Sequence, residues 1–485
     1  MNHLALLFAL PLLAAFLLPL LQRMSGLAGW LLGPLVLGVN VVLGLQAWDT
    51  VSAGPVVIEL GGFRPPFGIV FYIDQLALLF AIAVSAGSLL LWPLRDGPGA
   101  PVAEYTLALV LAAAATGLAL SADLFNLYVF YELTAVACYG LAAARGTPAG
   151  YAAVMRFVVV GSLGAGLMLA GIALVYMSAG TLNLAQLSQL AGTTLDGPLG
   201  LAAFVLILIG AGVKAELFPV NAWVPEVYGA ASKRVAGLLA GVISKLALLI
   251  ILRLLVLVFQ QPEALQVMLV LGVLGVLSGE LAAWRARDLT RLLAFSSIGQ
   301  LGIIFIACSV PGEGALFAVL AVALHHLLVK PALFLLAERW GGSIERLAGG
   351  SRSSPLGAAL FVLLALSLVG VPPLPGFWAK LLVLVELAGQ QQPLYYFALF
   401  AILAGAVLEA GYLFRVVAVL YRADAGQPPP AGHRLPDISV AAVLGGTLVA
   451  GTLLLAPLAE QLGGIATRAA DVALIVETVN PGMLP

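Results

Sequence analysis

This chain is dominated by apolar stretches that are each about as long as a bilayer is thick. Hydrophobic residues make up 62% of its 485 residues, charged residues make up 9%, and the mean hydropathy is +1.10. A soluble domain carries roughly 25% charged residues, whereas a membrane-spanning helix needs roughly 20 consecutive apolar residues. The composition therefore excludes an ordinary soluble domain and predicts an all-α polytopic membrane protein.

The apolar stretches predict fourteen transmembrane helices. The first stretch lacks the basic residues that begin a signal peptide, so we expect it to be retained as a helix. The stretches cover residues 4–22, 27–48, 72–94, 104–121, 123–143, 152–179, 199–220, 229–259, 264–283, 290–309, 313–338, 355–388, 394–421 and 438–458.

Basic residues are concentrated in every second loop, as expected when cytoplasmic loops are enriched in Lys and Arg. The intervening loops carry only Arg64 and Arg468. This asymmetry predicts a multi-pass protein of the inner or plasma membrane with both termini outside the cytoplasm. The basic residues of the alternate loops are Arg23, Arg95, Arg145, Lys233, Arg234, Arg285, Arg287, Arg291, Arg339, Arg346, Arg352, Arg422 and Arg434.

Two predicted helices, the seventh and the twelfth, are broken by proline. Pro219 follows Lys214 in the seventh, and three prolines precede Lys380 in the twelfth. Broken helices five spans apart are typical of two inverted five-helix repeats that build an ion site near the membrane midplane; simple packing kinks are the alternative. The predicted segments are an N-terminal three-helix segment (1–103), two repeats (104–259 and 264–421) and a C-terminal helix with a short tail (422–485).

Lysine is scarce, and its placement suggests function. The chain has five Lys against seventeen Arg, and four of the five Lys lie in predicted spans. Arg stays charged in proteins, whereas a buried Lys is able to lose its proton. Intramembrane charges commonly mark ion paths or proton relays. The pattern therefore predicts proton movement through the membrane.

Glu132 and Lys214 are the first candidate pair of proton-carrying residues. A carboxylate in the middle of the fifth span needs a nearby cation to stay ionised, and Lys214 in the broken seventh span is the natural partner. Separating the two groups would release a proton from the lysine. A static ion pair that joins two helices is the alternative.

The other candidates are Lys245, His325, His326, Lys330 and Lys380. Lys245 lies deep in the eighth span without an acid one turn away, which suits a group that is neutral part of the time; extension to the membrane surface is the alternative. His326 and Lys330 share a helix face, while His325 is turned about 100° from His326. These histidines favour a proton relay, with ordinary core residues as the alternative.

The sequence leaves the roles of several other polar residues open. Glu216 is two residues after Lys214 and hence on another face, and Glu409 is a possible partner for either Arg415 or Lys380. A further acid in a predicted span, Glu280, receives no assigned role. The serines and the glutamine of FSSIGQ in the tenth span could hydrate the route, although serine in membrane helices more often serves packing.

Composition also limits the partners and cofactors. A net charge of -1 provides no basic face for nucleic acid. Cys138 and Cys308 lie singly in apolar runs, so they cannot form an iron–sulfur or structural zinc site. Metal binding by the histidine pair is not expected, because no carboxylate or cysteine lies nearby in that span. We expect no cofactor and no redox centre in this chain.

Several motifs resemble one known family. They are DLFNLYVFYELTAVACYGL, KAELFPVNAWVPEVY, RDLTRLLAFSSIGQLGII, HHLLVKPALFLL and GVPPLPGFWAK, in order from about residue 100 to 420. Together they resemble the antiporter-like proton-translocating subunits shared by Mrp-type monovalent cation/proton antiporters and respiratory complex I (NADH-quinone oxidoreductase). The DLFN motif and the chain length are most similar to the D-type branch of the Mrp subunits.

The resemblance implies a fourteen-helix fold with two inverted five-helix repeats and a proton axis at Glu132, Lys214, Lys245 and Lys380. His325 and Lys330 match the family's connecting helix. It also implies a multisubunit membrane complex in which further antiporter-like subunits are partners and protons, with a monovalent cation such as Na⁺, are carried.

The chain departs from the family pattern in two places. Lys233 and Arg234 stand in GAASKRVAG where small residues and proline are expected, and Glu216 stands where an uncharged residue is more usual. About 27 residues follow the fourteenth span, which are too few for the long lateral helix of the largest family members.

Three functions remain open from the sequence. The leading one is an antiporter-like subunit that exchanges protons for a monovalent cation. A second is the proton-pumping arm of an enzyme complex with hydrogenase, quinone reductase or carbon dioxide hydration chemistry in partner subunits. The third is a scaffold subunit that carries no ions.

Overall fold

A computed structural model describes residues 3–63, 68–93, 102–340, 342–423 and 432–480. Arg64 and Arg95, which contribute to the predicted orientation, lie outside these residues.

The first half of the chain is mainly helical, and most of its helices are long and apolar. The helices are α1 (Leu6–Met24), α2 (Ala28–Ala53), α3 (Gln75–Leu90), α4 (Val102–Leu120), α5 (Leu124–Ala143), α6 (Pro148–Ala179), α7 (Leu184–Leu190), α8 (Pro198–Gly212), α9 (Val224–Ala230), α10 (Lys233–Leu238) and α11 (Ser244–Leu257). Two strands, β1 (Val56–Glu59) and β2 (Val70–Ile73), lie between α2 and α3.

The second half is also helical. Its helices are α12 (Pro262–Arg285), α13 (Leu289–Cys308), α14 (Glu313–Trp340), α15 (Gly350–Ser353), α16 (Pro355–Val369), α17 (Pro375–Gly389), α18 (Pro393–Tyr421), α19 (Leu435–Leu453), α20 (Leu455–Ala470) and α21 (Val472–Val479). Single-turn 3₁₀ segments lie at His3–Ala5, Leu60–Gly62 and Ile344–Leu347.

The helices agree with a polytopic membrane protein. Within the described residues, 11 helices are long and apolar enough to cross a membrane. Three other predicted spans correspond to shorter apolar helices, Gln75–Leu90, Pro198–Gly212 and Pro355–Val369. The predicted all-α polytopic class is therefore confirmed at this level.

A small β-hairpin is an addition that the sequence pattern did not predict. β1 and β2 pair antiparallel, with Val56 opposite Ile73, and β2 takes residues that were assigned to the start of the third span. Its sequence VFYI is rich in the β-branched and aromatic residues that favour strands. Phe71 packs against Phe8 and Phe130, with ring centroids 5.5 and 6.0 Å away, so the hairpin is part of a core rather than a surface loop.

The chain forms two units. The first consists of Met1–Ala215, Val242–Ala264 and Thr467–Pro485, and the second of Glu216–Gly241 and Leu265–Ala466. The chain passes from one unit to the other within the broken seventh span and again within the eighth span. The segment boundaries expected from the sequence remain a prediction.

Both predicted helix breaks are present. α8 ends at Gly212, and helical structure resumes with α9 at Val224. α16 ends at Val369, where Gly370 adopts a left-handed φ of 93°, and α17 begins at Pro375. A break frees the last carbonyls of the preceding helix, and these carbonyls need new donors.

The predicted eighth span has an irregularity of its own. A π-helical segment, Leu239–Ile243, separates α10 from α11. Gly241 packs on Pro331 of α14 so closely that a Cβ at this position would overlap the Pro331 ring. Pro331 cannot donate to the carbonyl one turn earlier, so two irregular helix segments meet here, with the Pro331 ring packed directly on the Gly241 backbone.

Lys233 and Arg234 were assigned to a basic loop, and this assignment is wrong. Lys233 begins α10 and is buried, as is Arg234. The Lys233 Nζ donates to the carbonyls of Tyr228 (2.7 Å) and Gly229 (2.9 Å) at the end of α9. Arg234 pairs with Asp437 of α19 at 2.7 Å. Their charges are satisfied inside the second unit, because helix-end carbonyls and a carboxylate are available there.

Candidate functional site

The first unit contains the pair formed by Lys214 and Glu132. The lysine Nζ lies 3.8 Å from Glu132 Oε1, and the two side chains are 3% and 33% exposed. The Nζ also lies 3.0 Å from the centroid of the Tyr131 ring, an arrangement that stabilises a cation electrostatically. The pairing expected from the sequence is therefore present, while its role stays a prediction.

The end of α8 positions Lys214 in this pair. The helix ends at Gly212, and the Tyr131 hydroxyl donates to the Gly210 carbonyl at 2.7 Å. Tyr131 thus satisfies one carbonyl near the break with its hydroxyl and faces the ammonium with its ring. Tyr131 of α5 therefore contacts both the end of α8 and Lys214, and its chain neighbour Glu132 supplies the carboxylate.

Lys245 is held inside the first unit. Its side chain is 0% exposed, and its Nζ donates to the Ser244 hydroxyl at 3.0 Å. The most apolar 18-residue window of Lys233–Leu257 is 100% buried. The alternative that Lys245 extends to the membrane surface is therefore excluded by its burial.

In the second unit, Lys330 contacts α13 rather than its own helix. Its Nζ donates to the Ser296 hydroxyl at 2.7 Å and to the Leu293 carbonyl at 3.3 Å. Ser296 was assigned mainly to helix packing from the sequence. Its position opposite a buried ammonium makes it a polar partner of the candidate relay.

Both histidines are buried within α14. His325 Nε2 lies 2.9 Å from the Ser367 hydroxyl of α16, and His326 is completely buried. Gly376 leaves room for His325, since a Cβ there would lie 2.8 Å from the histidine Nε2. His325 therefore connects the Lys330 helix to the broken twelfth span.

Lys380 forms the second buried pair. Its Nζ lies 2.5 Å from Glu409 Oε2 and 2.7 Å from the Leu368 carbonyl at the end of α16. A cation at the C-terminus of a helix is stabilised by the helix dipole. Arg415 instead donates to the carbonyls of Trp284 (3.1 Å) and Ala286 (2.9 Å). The structure thus decides between the two partners that the sequence left open for Glu409.

The sequence did not identify several groups around this pair. Gln300 donates to Glu409 Oε1 at 2.7 Å, and Tyr412 donates to Glu280 Oε2 at 2.9 Å. Gly299 makes space for Glu280, because a Cβ there would overlap the carboxylate. The only sequence signal was an acid in an apolar span, which does not reveal its neighbours.

Both units therefore contain a buried amine next to a carboxylate and a buried amine next to a serine hydroxyl, and the second unit also contains the two imidazole groups. Such groups accept and donate protons without a metal or cofactor. Among the described residues, no group of three or more His, Cys, Asp or Glu is arranged to hold a metal ion.

The family is shown by comparison with known proteins. Residues 121–407 match the family described as NADH:quinone oxidoreductase/Mrp antiporter, TM. All seven predicted site residues, from Glu132 to Lys380, lie within this match.

Named relatives divide between two kinds of complex. NADH-quinone oxidoreductase subunit N of Desulforudis audaxviator (strain MP104C) is 32% identical over 390 residues, covering 77% of each chain. The D-type Na⁺/H⁺ antiporter subunit of Alkalihalophilus pseudofirmus is 29% identical over 432 residues, covering 86% of this chain and 84% of the relative.

Solved structures show the same division. A chain of an archaeal respiratory membrane complex, the membrane-bound sulfane sulfur reductase, superposes with a TM-score of 0.91 at 29% identity, covering 98% of this chain and 99% of that one. A chain of the Mrp complex from Dietzia sp. DQ12-45-1b gives 0.88 at 26% identity, covering 99% and 100%. This chain is therefore a member of the NADH:quinone oxidoreductase/Mrp antiporter transmembrane family.

Proposed function

We propose that this chain is a proton-translocating, antiporter-like subunit of a multisubunit membrane complex. Protons move along Glu132, Lys214, Lys245, His325, His326, Lys330 and Lys380, and the complex exchanges them for a monovalent cation such as Na⁺. The observation that carries the proposal is the burial of four lysines in apolar segments, with Lys214 in the break after α8 and the other three in helices. Two of the four, Lys214 and Lys380, are paired with carboxylates beside helix breaks.

The mechanism follows from how a neighbouring charge changes the affinity of a lysine for its proton. A carboxylate close to Lys214 favours the protonated amine, and withdrawal or neutralisation of Glu132 favours its release. Lys380 and Glu409 repeat the arrangement in the second unit. A proton that arrives at one carboxylate therefore promotes release from the amine beside it.

We also propose the fold details that the family suggests. The chain has fourteen spans, of which ten form two inverted five-helix repeats, 104–259 and 264–421. Segments 1–103 and 422–485 flank the repeats, and both termini lie outside the cytoplasm. Support comes from α8 and α16, which are apolar helices that end early and precede a buried lysine.

The proposed assembly is of the Mrp type, with this chain in the position of the D-type subunit and further antiporter-like subunits beside it. The full coverage of the Dietzia chain and the named relative from Alkalihalophilus support this assembly.

A redox-driven complex is the second candidate. The relative from Desulforudis is named as a quinone oxidoreductase subunit, and the sulfane sulfur reductase complex is respiratory. In such a complex this chain would pump protons with energy from partner subunits and would still carry no redox centre.

The first experiment measures proton transport by the assembled complex in liposomes. Lys214→Ala and Lys245→Ala are expected to abolish transport at normal expression and assembly. Lys214→Arg and Lys245→Arg keep the charge but cannot release a proton, so we expect them to be inactive as well. Full transport by the alanine variants would overturn the proposal, and harmless arginine variants would favour a scaffold.

The second experiment identifies the assembly by purifying the tagged chain with its partners from native membranes. Small hydrophobic subunits are expected for an Mrp-type antiporter. Iron–sulfur subunits would instead support the redox-driven complex, and a large soluble zinc protein would indicate carbon dioxide hydration chemistry.

A further inference from the structure

Glu216 has an unusual backbone in the broken seventh span. Its φ is 57°, in the left-handed region, which costs a residue with a Cβ about 1–2 kcal/mol. The Asn221 side chain donates to the Glu216 carbonyl at 3.1 Å, and Glu216 is 1% exposed. Glycine and asparagine adopt this conformation more readily than glutamate. The backbone alone therefore gives no reason for a glutamate at this position.

The Glu216 carboxylate is fixed by an aromatic residue. Tyr228 donates its hydroxyl to Glu216 Oε1 at 2.6 Å, the length of a charge-assisted hydrogen bond. The Tyr228 ring packs edge-on against Phe334 of α14, with centroids 5.4 Å apart. The carboxylate is thus held at a defined position in the second unit.

Phe334 lies four residues after Lys330 in α14, so Tyr228, which holds the Glu216 carboxylate, packs on the helix face that also carries Lys330. The charge of Glu216 acts on Lys330, as do those of Glu280, Glu409 and Lys380. Lys330 itself is fully buried and contacts Ser296. Glu216 lies in the break before α9, whereas Glu409 belongs to α18. These two of the carboxylates that act on Lys330 therefore come from different segments of the second unit.

We propose that Glu216 is an additional proton-carrying residue that controls release from Lys330. This inference rests on the proposed proton transport. When Glu216 accepts a proton, its carboxylate becomes neutral, and Lys330 loses one anionic neighbour and releases its own proton. One proton enters the pair and one leaves, so the total charge of the pair is unchanged.

Substitutions that tolerate the left-handed backbone distinguish proton exchange by Glu216 from a purely structural role of this residue. Glu216→Gly and Glu216→Asn relieve or preserve the conformation but cannot exchange a proton. We expect both to assemble normally and to reduce proton transport by the complex in liposomes roughly tenfold or more. Glu216→Asp keeps the carboxyl group and is expected to restore part of the rate.

Glu386→Gln is the matched control, because it removes another helix carboxylate that has no place in the proposed route. Wild-type transport by Glu216→Gly or Glu216→Asn would overturn the inference, while loss of transport in Lys214→Ala leaves the proposed function standing. If Lys214→Ala and Lys330→Ala also transport normally, the proposed function itself fails.

An infrared titration of the purified complex provides a readout that does not depend on transport. The wild type should show a carboxylic acid C=O band that is absent from Glu216→Asn. Tyr228→Phe should move this band to higher frequency, because the carboxyl group loses a hydrogen bond. A spectrum without any band that depends on Glu216 would contradict the inference, even for a variant that assembles poorly.

Discussion

Each unit contains one lysine–carboxylate pair beside a broken helix, but the two pairs are held differently. Lys214 and Glu132 are 3.8 Å apart, and a third of the Glu132 side chain is exposed, at 33%. Lys380 and Glu409 are 2.5 Å apart, with exposures of 9% and 1%. The first distance is too long for a hydrogen bond, and the second is that of a strong one.

This difference affects how easily each pair separates. Charges attract more strongly when they are close and shielded from water, so the ion pair of the second unit is held more strongly. Lys380 is also fixed by the Leu368 carbonyl, and Glu409 by Gln300. We infer that the loose pair separates readily, while the tight pair separates only when a neighbouring charge changes first.

The largest expected difference is in stability after removal of each lysine. Lys380→Ala leaves Glu409 buried without its cation, which should lower the free energy of unfolding by about 3–5 kcal/mol. Lys214→Ala should cost on the order of 1–2 kcal/mol, since Glu132 is partly exposed. Unfolding of the purified protein in increasing denaturant measures both values. An equal or larger loss for Lys214→Ala would contradict the comparison.

A second prediction concerns Glu280, the extra carboxylate near the tight pair. Gly299→Ala places a methyl group where Glu280 Oε1 lies, so the side chain must move and stability should fall by roughly 1–3 kcal/mol. Proton transport should fall with it. Gly446→Ala is the control, because a Cβ there meets nothing within 4 Å. Equal behaviour of the two variants would show that Glu280 is free to relocate.

Tyr131 allows a smaller test on the loose pair. Tyr131→Phe removes the hydrogen bond to Gly210 but keeps the ring that faces Lys214. It should cost about 0.5–1.5 kcal/mol and leave most transport intact. Tyr131→Leu also removes the ring and should lower transport further, which a side-by-side liposome assay measures. Identical rates for the two variants would rule out a contribution from the ring.

The smallest expected effect is a pH dependence outside the spans. His433 Nε2 lies 2.8 Å from the Leu336 carbonyl and Nδ1 lies 2.7 Å from the Ser354 hydroxyl. Burial lowers the pKa of His433 below its usual 6.5. The unfolded chain then binds more protons than the folded chain as the pH falls below about 6.5, so stability decreases toward acid.

His433→Gln should make the stability of the second unit less sensitive to pH between neutrality and pH values below 6.5. Thermal unfolding at several pH values measures this, with the wild type as reference. An unchanged acid sensitivity in His433→Gln would assign the effect to other groups.

Much of the fold could be predicted because membrane helices are encoded locally. Apolar length revealed the spans, and proline revealed the breaks that end α8 and α16. The β-hairpin and the π-helical segment were missed, since both depend on packing: β2 against aromatic residues and Gly241 against Pro331. The burial of Lys233 and Arg234 was missed for the same reason.

Part of the candidate site was also predictable. Glu132 and Lys214 were paired correctly, because a carboxylate in the middle of a span needs a cation and few were available. Ser296 and Gln300 were undervalued, since a polar residue in a span has the same sequence signature whether it packs or contacts an ammonium. Glu280 had no assigned role until Tyr412 and Gly299 were located beside it.

The sequence by itself determined that the chain crosses the membrane many times, where two spans break, and which amines lie in apolar segments, because hydropathy, proline and lysine act through local chemistry. Only the tertiary structure decided that Glu409 faces Lys380 rather than Arg415, and that Glu216 is held by Tyr228 in a left-handed conformation. Those choices depend on distance and burial between residues far apart in the chain: Gln300 and Glu409 are 109 positions apart.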